Sequence, residues 1–432
     1  MQEQPVIDIE AEKKEILKRY RALLHACKRT LEKGDKLRIF HQIRELSRHH
    51  EIVLCSLAEE QVQDVDYQEV KQYCSNIFIL RLDKKTVIFN ILKNILSLVF
   101  NFVGVPNLPF QVAYFFNKNI KKQILQIIES EKPDHIYCQL ARMAEYVRYL
   151  NLPKTLDYMD AFSIGAVRRA DSSHWLTKPF WKIEAHKMAQ YEAHLAHDFD
   201  NLTIISTQDR DVLDFTEKNK IQVVPNGVDI DYFKKNNAAL PPQYHIAFVG
   251  NLGYYPNVEA AKYLVNQILP LLLTHIPDIK ILIAGARPTA EVLNLSNKNV
   301  VVKGWLKDIR EAYSDAQIFV APLFHGSGQQ NKILEAMAMG LPCITTSLVN
   351  NAILAKPNEA ILTVEPFDTV RKDSLGEGVW VEKIINLLQN VDNQEFISNN
   401  ARLFVEKKYS WEYSATLLNN IIEKKAKQHQ PN

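Results

Sequence analysis

Lys332 and Glu335 stand three residues apart in the stretch Gly326-Ser-Gly-Gln-Gln-Asn-Lys-Ile-Leu-Glu335, which follows an apolar run, Ala316 to Pro322. Gly326, Ser327, Gly328, Gln329, Gln330 and Asn331 read as a glycine-bearing loop, and Asn331–Met339 as a short helix stopped by Gly340. Strand, glycine loop and helix in that order set a helix N-terminus over the carboxyl end of a parallel sheet. Free backbone N–H groups and the helix dipole there suit a phosphate. Lys332 is a cation in the first helical turn, a place mildly unfavourable to the helix itself, so an anionic ligand would explain it. Glu335, one turn further in, is within reach of sugar hydroxyls. The plainer reading of the pair is a helix-surface salt bridge, but its place at a strand end favours a ligand site. Phosphate and hydroxyl recognition together point to a nucleotide or a nucleotide sugar.

The elements that must position this motif recur along the chain. Apolar runs of strand length fall at Glu51–Leu57, Asn76–Leu82, Asp134–Gln139, Lys154–Met159, Leu202–Thr207 and Ile221–Pro225. A second series falls at His245–Gly250, Lys280–Gly285, Asn299–Lys303, Gln317–Pro322, Pro342–Thr346 and Ala360–Val364. Amphipathic stretches such as Lys36–His49 and Asn257–Leu273 lie between them. Strands that are apolar throughout and alternate with helices predict parallel sheets covered on both faces. Two such series predict an α/β protein of two doubly wound, Rossmann-like domains with ligands bound in a central cleft. The expected divisions are 1–233, 234–404 and a last helical segment, 405–432, crossing back to the first domain. Lys-Lys-Asn-Asn-Ala-Ala-Leu-Pro-Pro, 234–242, reads as the linker.

Bulk composition narrows the classes. A chain of 432 residues, 47% hydrophobic and 24% charged, is an ordinary globular chain with room for two or three domains. A formal net charge of +2 argues against nucleic acid as a partner. Cys27, Cys55, Cys74, Cys138 and Cys343 are scattered without metal-ligand spacing and read as free thiols in a reducing compartment. The polar, acidic N-terminus gives no secretory signal, which suggests a cytoplasmic location. Thr86–Phe116 is the longest apolar region, but its asparagines, lysine and prolines exclude a simple membrane span. It reads either as a core helix and loop or, with Lys84, Lys85, Lys118, Lys121 and Lys122 around it, as a patch (84–122) resting on the inner face of the plasma membrane.

Other polar residues carry two readings. Asp157 and Asp160 flank Tyr-Met at a strand end; either could orient a sugar hydroxyl or assist proton transfer, or cap the next helix. Arg142 could meet an anionic acceptor or be a solvated helix-start residue. Asp198-Phe-Asp200 and Asp229-Ile-Asp231 spell a metal-holding Asp-x-Asp pattern, yet both fit helix ends and turns better, and no metal is expected.

With those motifs in view, the chain resembles the family-4 retaining glycosyltransferases of the GT-B fold, on the branch associated with exopolysaccharide and PEP-CTERM systems. Besides Gly326–Thr346, the resemblance rests on Gly34-Asp-Lys-Leu-Arg-Ile-Phe, Gln190-Tyr-Glu-Ala-His-Leu, Pro225-Asn-Gly-Val-Asp229 and Phe248-Val-Gly-Asn-Leu-Gly-Tyr-Tyr-Pro-Asn257. It covers the chain from about residue 34 onward. The resemblance implies that Gly326–Gln330 and Lys332 hold a donor diphosphate, that Glu335 binds ribose hydroxyls, and that Gly250 and Asn251 line the nucleotide site. Arg287 would lie near the base or diphosphate, and Gly34, Asp35 and Lys36 would face the acceptor. It further implies sugar transfer with retention to a glycan or lipid-linked hydroxyl, with Lys332 assisting, the nucleotide sugar a substrate and no cofactor. Ser327 stands where many relatives carry a hexose-binding glutamate. Residues 12–30 read as a charged helix where the family has its first strand, so either Arg21–Cys27 is a poor strand or that strand is missing. Two alternatives remain open: a catalytically degenerate nucleotide-binding scaffold, and a GT-B nucleotide-sugar epimerase.

Overall fold

The computed structural model describes residues 21–25, 34–59, 62, 67–83, 87–88, 90, 108–235, 241–324, 328–365 and 375–426. The chain forms two compact units, one of residues 1–224 with 414–432 and one of residues 225–413.

The first unit is built on a seven-stranded parallel sheet of order β3-β2-β1-β4-β5-β6-β7. Its strands are β1 (Arg21–His25), β2 (Glu51–Ala58), β3 (Asn76–Arg81), β4 (His135–Gln139), β5 (Lys154–Asp157), β6 (Asn201–Ile204) and β7 (Gln222–Val223). Buried residues on β2, β4, β5 and β6 leave no solvated face, as a sheet covered by helices requires. The helices used below are α1 (Gly34–Leu46), α2 (Phe110–Phe115), α3 (Lys118–Glu131), α4 (Phe162–Ser172) and α5 (Lys178–Asp198).

β1 corrects the helical reading over residues 21–25; residues 12–20 and 26–30 lie outside the described residues. Arg21–His25 is a central strand, with Leu23 opposite Val53 of β2 on one side and Ile136 of β4 on the other. The charges around Ala-Leu-Leu hide it from a local reading, but pairing on both edges satisfies its backbone and overrides propensity. The first strand is therefore present at Arg21–His25.

The second unit carries a six-stranded parallel sheet of order β10-β9-β8-β11-β12-β13. It comprises β8 (Tyr244–Val249), β9 (Ile281–Ala284), β10 (Val300–Lys303), β11 (Ala316–Ala321), β12 (Cys343–Thr346) and β13 (Leu362–Val364). Phe248 and Phe319 stack across β8 and β11 with ring centroids 6.5 Å apart. Its helices include α6 (Tyr255–Tyr263), α7 (Arg310–Ser314), α8 (Asn331–Ala338) and α9 (Val391–Lys408).

The last helix, α10 (Trp411–Ala426), returns to the first unit. Leu418, Ile421 and Ile422 pack with Ile39, Ile43, Leu46 and Val224, and Asn201 Nδ2 donates to the Ile421 carbonyl at 3.3 Å. Where the chain leaves each unit, Val228 N–H donates to the Tyr409 carbonyl at 2.6 Å. A Cβ on Gly227 would lie 2.6 Å from Trp411, so only glycine lets the two segments pass so closely.

Among the described residues no helix is long and apolar enough to cross a membrane. Of the 84–122 region, α2 and the start of α3 are described, and Val112, Ala113 and Ile120 are buried in the core. Lys84 and Lys85 lie outside the described residues. Cys55, Cys138 and Cys343 are buried free thiols and Cys74 is a half-buried one; burial pushes Cys55 and Cys74 up to about 12.

Candidate functional site

In the second sheet, strand order reverses between β8 and β11, and the loops after their carboxyl ends lead into α6 and α8. Such a switch point leaves a crevice for a ligand. A side-chain bond ties the two helix starts together: Lys332 Nζ, in the first turn of α8, donates to Asn257 Oδ1 in the first turn of α6. Asn257 Nδ2 in turn donates to the Asn251 carbonyl at 2.9 Å. Glycine is required beside this link. A Cβ on Gly250 would come within 2.9 Å of Asn257 Nδ2, and one on Gly285, at φ +143°, within 1.7 Å of the Gly250 carbonyl. Gly250 and Asn251 thus sit against Asn257, the residue that Lys332 reaches, and Arg287 is exposed in the adjacent loop at φ +55°.

Lys332 lies over the Phe248 ring, 5.8 Å from its centroid. Burial lowers its ammonium to about 8, with the Glu335 carboxylate partly opposing that shift. Glu335 is half-buried one turn on, and its Oε2 accepts from the Tyr313 hydroxyl at 2.8 Å. Burial raises its pKa against the opposing pull of Tyr313 and Lys332. Gln330, the N-cap of α8, makes no side-chain cap, so the first-turn N–H groups receive none from it. Asn331 Oδ1 is buried with no hydrogen-bond partner among the described residues. Gly328 takes φ +79°. Gly326 and Ser327 lie outside the described residues.

Gln329, in the expected diphosphate loop, has its side chain engaged within the second unit. Its amide accepts from Asn226 N–H at 3.1 Å and donates to the Asn226 carbonyl at 2.8 Å, which ties the loop to the Pro225–Val228 segment. Asn257 and Tyr313 are the residues that sequence reasoning left without a role. Asn257 lay inside a quoted motif; Tyr313 gave no signal, because it reaches Glu335 only through the packing of α7 beside β11.

The first unit's candidates divide differently. Gly34, Asp35 and Lys36 form the first turn of α1. Arg142 is half-buried with its guanidinium over the rings of Phe115, at 4.6 Å, and Phe162, at 5.8 Å, a cation–π seat rather than a free helix start. Asp157 is no ligand-facing group: it is fully buried, bound to Arg38 and to the Tyr137 hydroxyl. Asp160 is exposed beyond it, and desolvation together with Asp209 and Asp157 raises its carboxyl to about 6. It does not cap α4. Glu192 does that from α5, accepting from Ser163 N–H at 3.3 Å.

Three of the four Asp-x-Asp carboxylates are engaged locally. Asp198 pairs with Arg148 at 2.5 Å and Asp200 accepts from Lys154 N–H at 2.9 Å. Asp229 accepts from Tyr232 N–H at 3.0 Å.

One consequence of the Lys332 environment is measurable. If a diphosphate binds only the charged form, its affinity falls about tenfold between pH 7 and pH 9, since Lys332 titrates at about 8. The unliganded fold responds oppositely. Its ammonium is depressed below the ordinary value of 10.5, so the unfolded chain holds the proton longer, and stability contributed by this group rises with pH above about 8. Calorimetric titration and urea unfolding across that range check both signs, and Lys332→Met flattens both profiles.

Comparison with known proteins places this geometry. Residues 243–390 match the family described as Glycosyl transferases group 1. An uncharacterized 44.6 kDa protein in the cps region of Klebsiella pneumoniae is 20% identical over 89% of this chain and 94% of its own length. The Escherichia coli UDP-Gal:alpha-D-GlcNAc-diphosphoundecaprenol alpha-1,3-galactosyltransferase is 29% identical over 33% of this chain and 40% of its own. The structure of Anabaena Alr3699/HepE in complex with UDP and glucose superposes with a TM-score of 0.64, at 11% identity, over 94% of this chain and all of that one. The chain has the two-unit GT-B fold, and residues 243–390 of its second unit match the glycosyl transferases group 1 family.

Proposed function

We propose that the chain transfers a sugar from a nucleotide diphosphate sugar to a hydroxyl of a polysaccharide or lipid-linked glycan, with retention and without a metal. The observation that carries this reading is the Lys332–Asn257 link beside Glu335 at the switch point of a group 1 domain. α8's N–H groups and Lys332 stabilise the departing diphosphate, and preorganised charge of this kind is usually the largest catalytic term. Glu335 takes the ribose hydroxyls. Retention follows if the attacking hydroxyl gives its proton to the leaving phosphate on the same face, so no strong base is demanded. Gly34, Asp35, Lys36, Arg142 and Asp160 face the acceptor on this reading. UDP is the favoured donor base, because the Anabaena structure holds UDP and the E. coli relative is named for UDP-Gal. The cps-region relative and the diphosphoundecaprenol in the second relative's name favour a cell-surface glycan made at the cytoplasmic face.

Calorimetric titration with a panel of nucleotide diphosphates and their sugars tests the reading. The expected result is micromolar binding of one nucleotide sugar with slow release of its sugar. Binding without any hydrolysis or transfer would support the degenerate scaffold instead. Conversion to an epimeric nucleotide sugar, followed by proton NMR, would support the epimerase.

A further inference from the structure

Apolar side chains exposed in a tight turn are uncommon, because turns favour small and polar residues and gain nothing from burial. The turn joining α4 to α5 breaks that pattern. Trp175 is 72% exposed and Leu176 65% exposed at its tip. The turn is ordered: the His174 carbonyl accepts from Thr177 N–H at 2.9 Å and Lys178 N–H at 3.0 Å. It therefore holds both side chains outward rather than letting them fold back. Val167 on α4 and Ile183 on α5 are exposed as well. Charge is one-sided around them. Between Phe162 and Ile183 stand Arg168, Arg169, Lys178 and Lys182 against Asp171; Arg168 acts on Asp160 and Asp209 and Arg169 lies over Trp181, so Lys178 and Lys182 are the cations beside the tip.

The base of the hairpin is fixed to its neighbours. Arg169 lies over the Trp181 ring at 4.6 Å, and Phe180 meets Phe110 edge-on at 5.5 Å. Glu184, buried in α5, accepts from the N–H groups of Phe110, at 2.7 Å, and Gln111, at 3.0 Å. A rigid α4–α5 hairpin thus presents an amphipathic ring and a leucine at its end, with cations behind them.

We propose that the α4–α5 tip docks the protein on an anionic phospholipid bilayer, Trp175 and Leu176 entering the headgroup boundary while the basic side chains meet lipid phosphates. Tryptophan belongs at such a boundary because its body is apolar and its N–H remains hydrated. Each cation near an anionic surface adds about 1 kcal/mol, a factor of about five in affinity. The surface does not depend on the transferase reading, and its test needs no nucleotide sugar.

Flotation with vesicles of phosphatidylcholine and phosphatidylglycerol is compared with phosphatidylcholine alone, using the full chain. Wild type is expected to float with the anionic vesicles and only weakly with the neutral ones. Trp175→Ser/Leu176→Ser should weaken binding about tenfold or more, and Lys178→Ser/Lys182→Ser by more than tenfold at low salt. Circular dichroism should show both variants folded, since none of these side chains fills the core. Unchanged flotation of the Trp175→Ser/Leu176→Ser variant overturns the proposal. So does loss of binding in Lys121→Glu/Lys122→Glu alone, or a dimer in solution that only Trp175→Ser/Leu176→Ser dissolves. UDP titration of the same preparations reports separately on the donor site.

Discussion

Glu335→Ala is expected to lower sugar transfer by at least about a hundredfold while leaving the unfolding midpoint close to wild type. A carboxylate accepting hydroxyl hydrogen bonds gains about 1.5–3 kcal/mol from each. Two such bonds to a ribose are enough for the loss. The fold should tolerate the change because Glu335 is only half-buried and holds one protein partner, the Tyr313 hydroxyl at 2.8 Å. Burial raises the carboxyl's pKa, so removing it relieves a mild desolvation cost. Tyr313→Phe separates positioning from contact. It leaves the carboxylate in place without its orienting bond, and should reduce affinity for the nucleotide by roughly tenfold, the low end of what a hydrogen bond to a charged group is worth. Steady-state kinetics with calorimetry on both variants check this. Near-normal turnover of Glu335→Ala would falsify the donor-site assignment.

The largest stability effect is expected from Asp157→Asn, at about 3–5 kcal/mol. Arg38 Nε and Asp157 Oδ2 are 2.8 Å apart and both side chains are 0% exposed. The Tyr137 hydroxyl donates to the same oxygen at 2.6 Å and Met159 N–H to the other at 3.2 Å. Burial works against the guanidinium's charge, yet Asp157 outweighs it and Arg38's pKa lies above its ordinary value. Removing the carboxylate therefore leaves a buried cation without the charge that outweighs its burial. Arg38→Leu/Asp157→Leu should recover most of the loss, because two apolar side chains carry no desolvation cost. Urea unfolding measures both. A single variant as stable as wild type would show that the pair is not buried as described.

Asp157 also shows where reading the chain alone stops. Its place at the end of a strand made it look like a ligand-side carboxylate, and so did Asp160, three residues past the end of β5. The difference between them lies in Arg38 and Tyr137, which come from 119 and 20 residues away. Periodicity carries no information about such partners. β1 makes the same point. Arg21–His25 is charged at both ends and short, and only its two neighbouring strands make it a strand.

Sequence by itself determined the twelve strands from β2 to β13, because an unbroken apolar run between polar helices has one outcome, a parallel strand covered on both faces. It also determined the Gly326–Glu335 motif, since local geometry suffices to put a cation and a carboxylate at a helix start after a strand. Tertiary structure alone decided what holds them. Asn257 bridges to Lys332, Tyr313 orients Glu335, and Gln329 turns away to bind Asn226. Each of these contacts joins elements that sequence separates by 22 to 103 residues, and side-chain bonds over such spans are set by sheet order rather than by spacing. The exposure of Trp175 and Leu176 is of the same kind. Spacing gives no signal of whether an apolar pair between two helices is covered, and this pair is exposed.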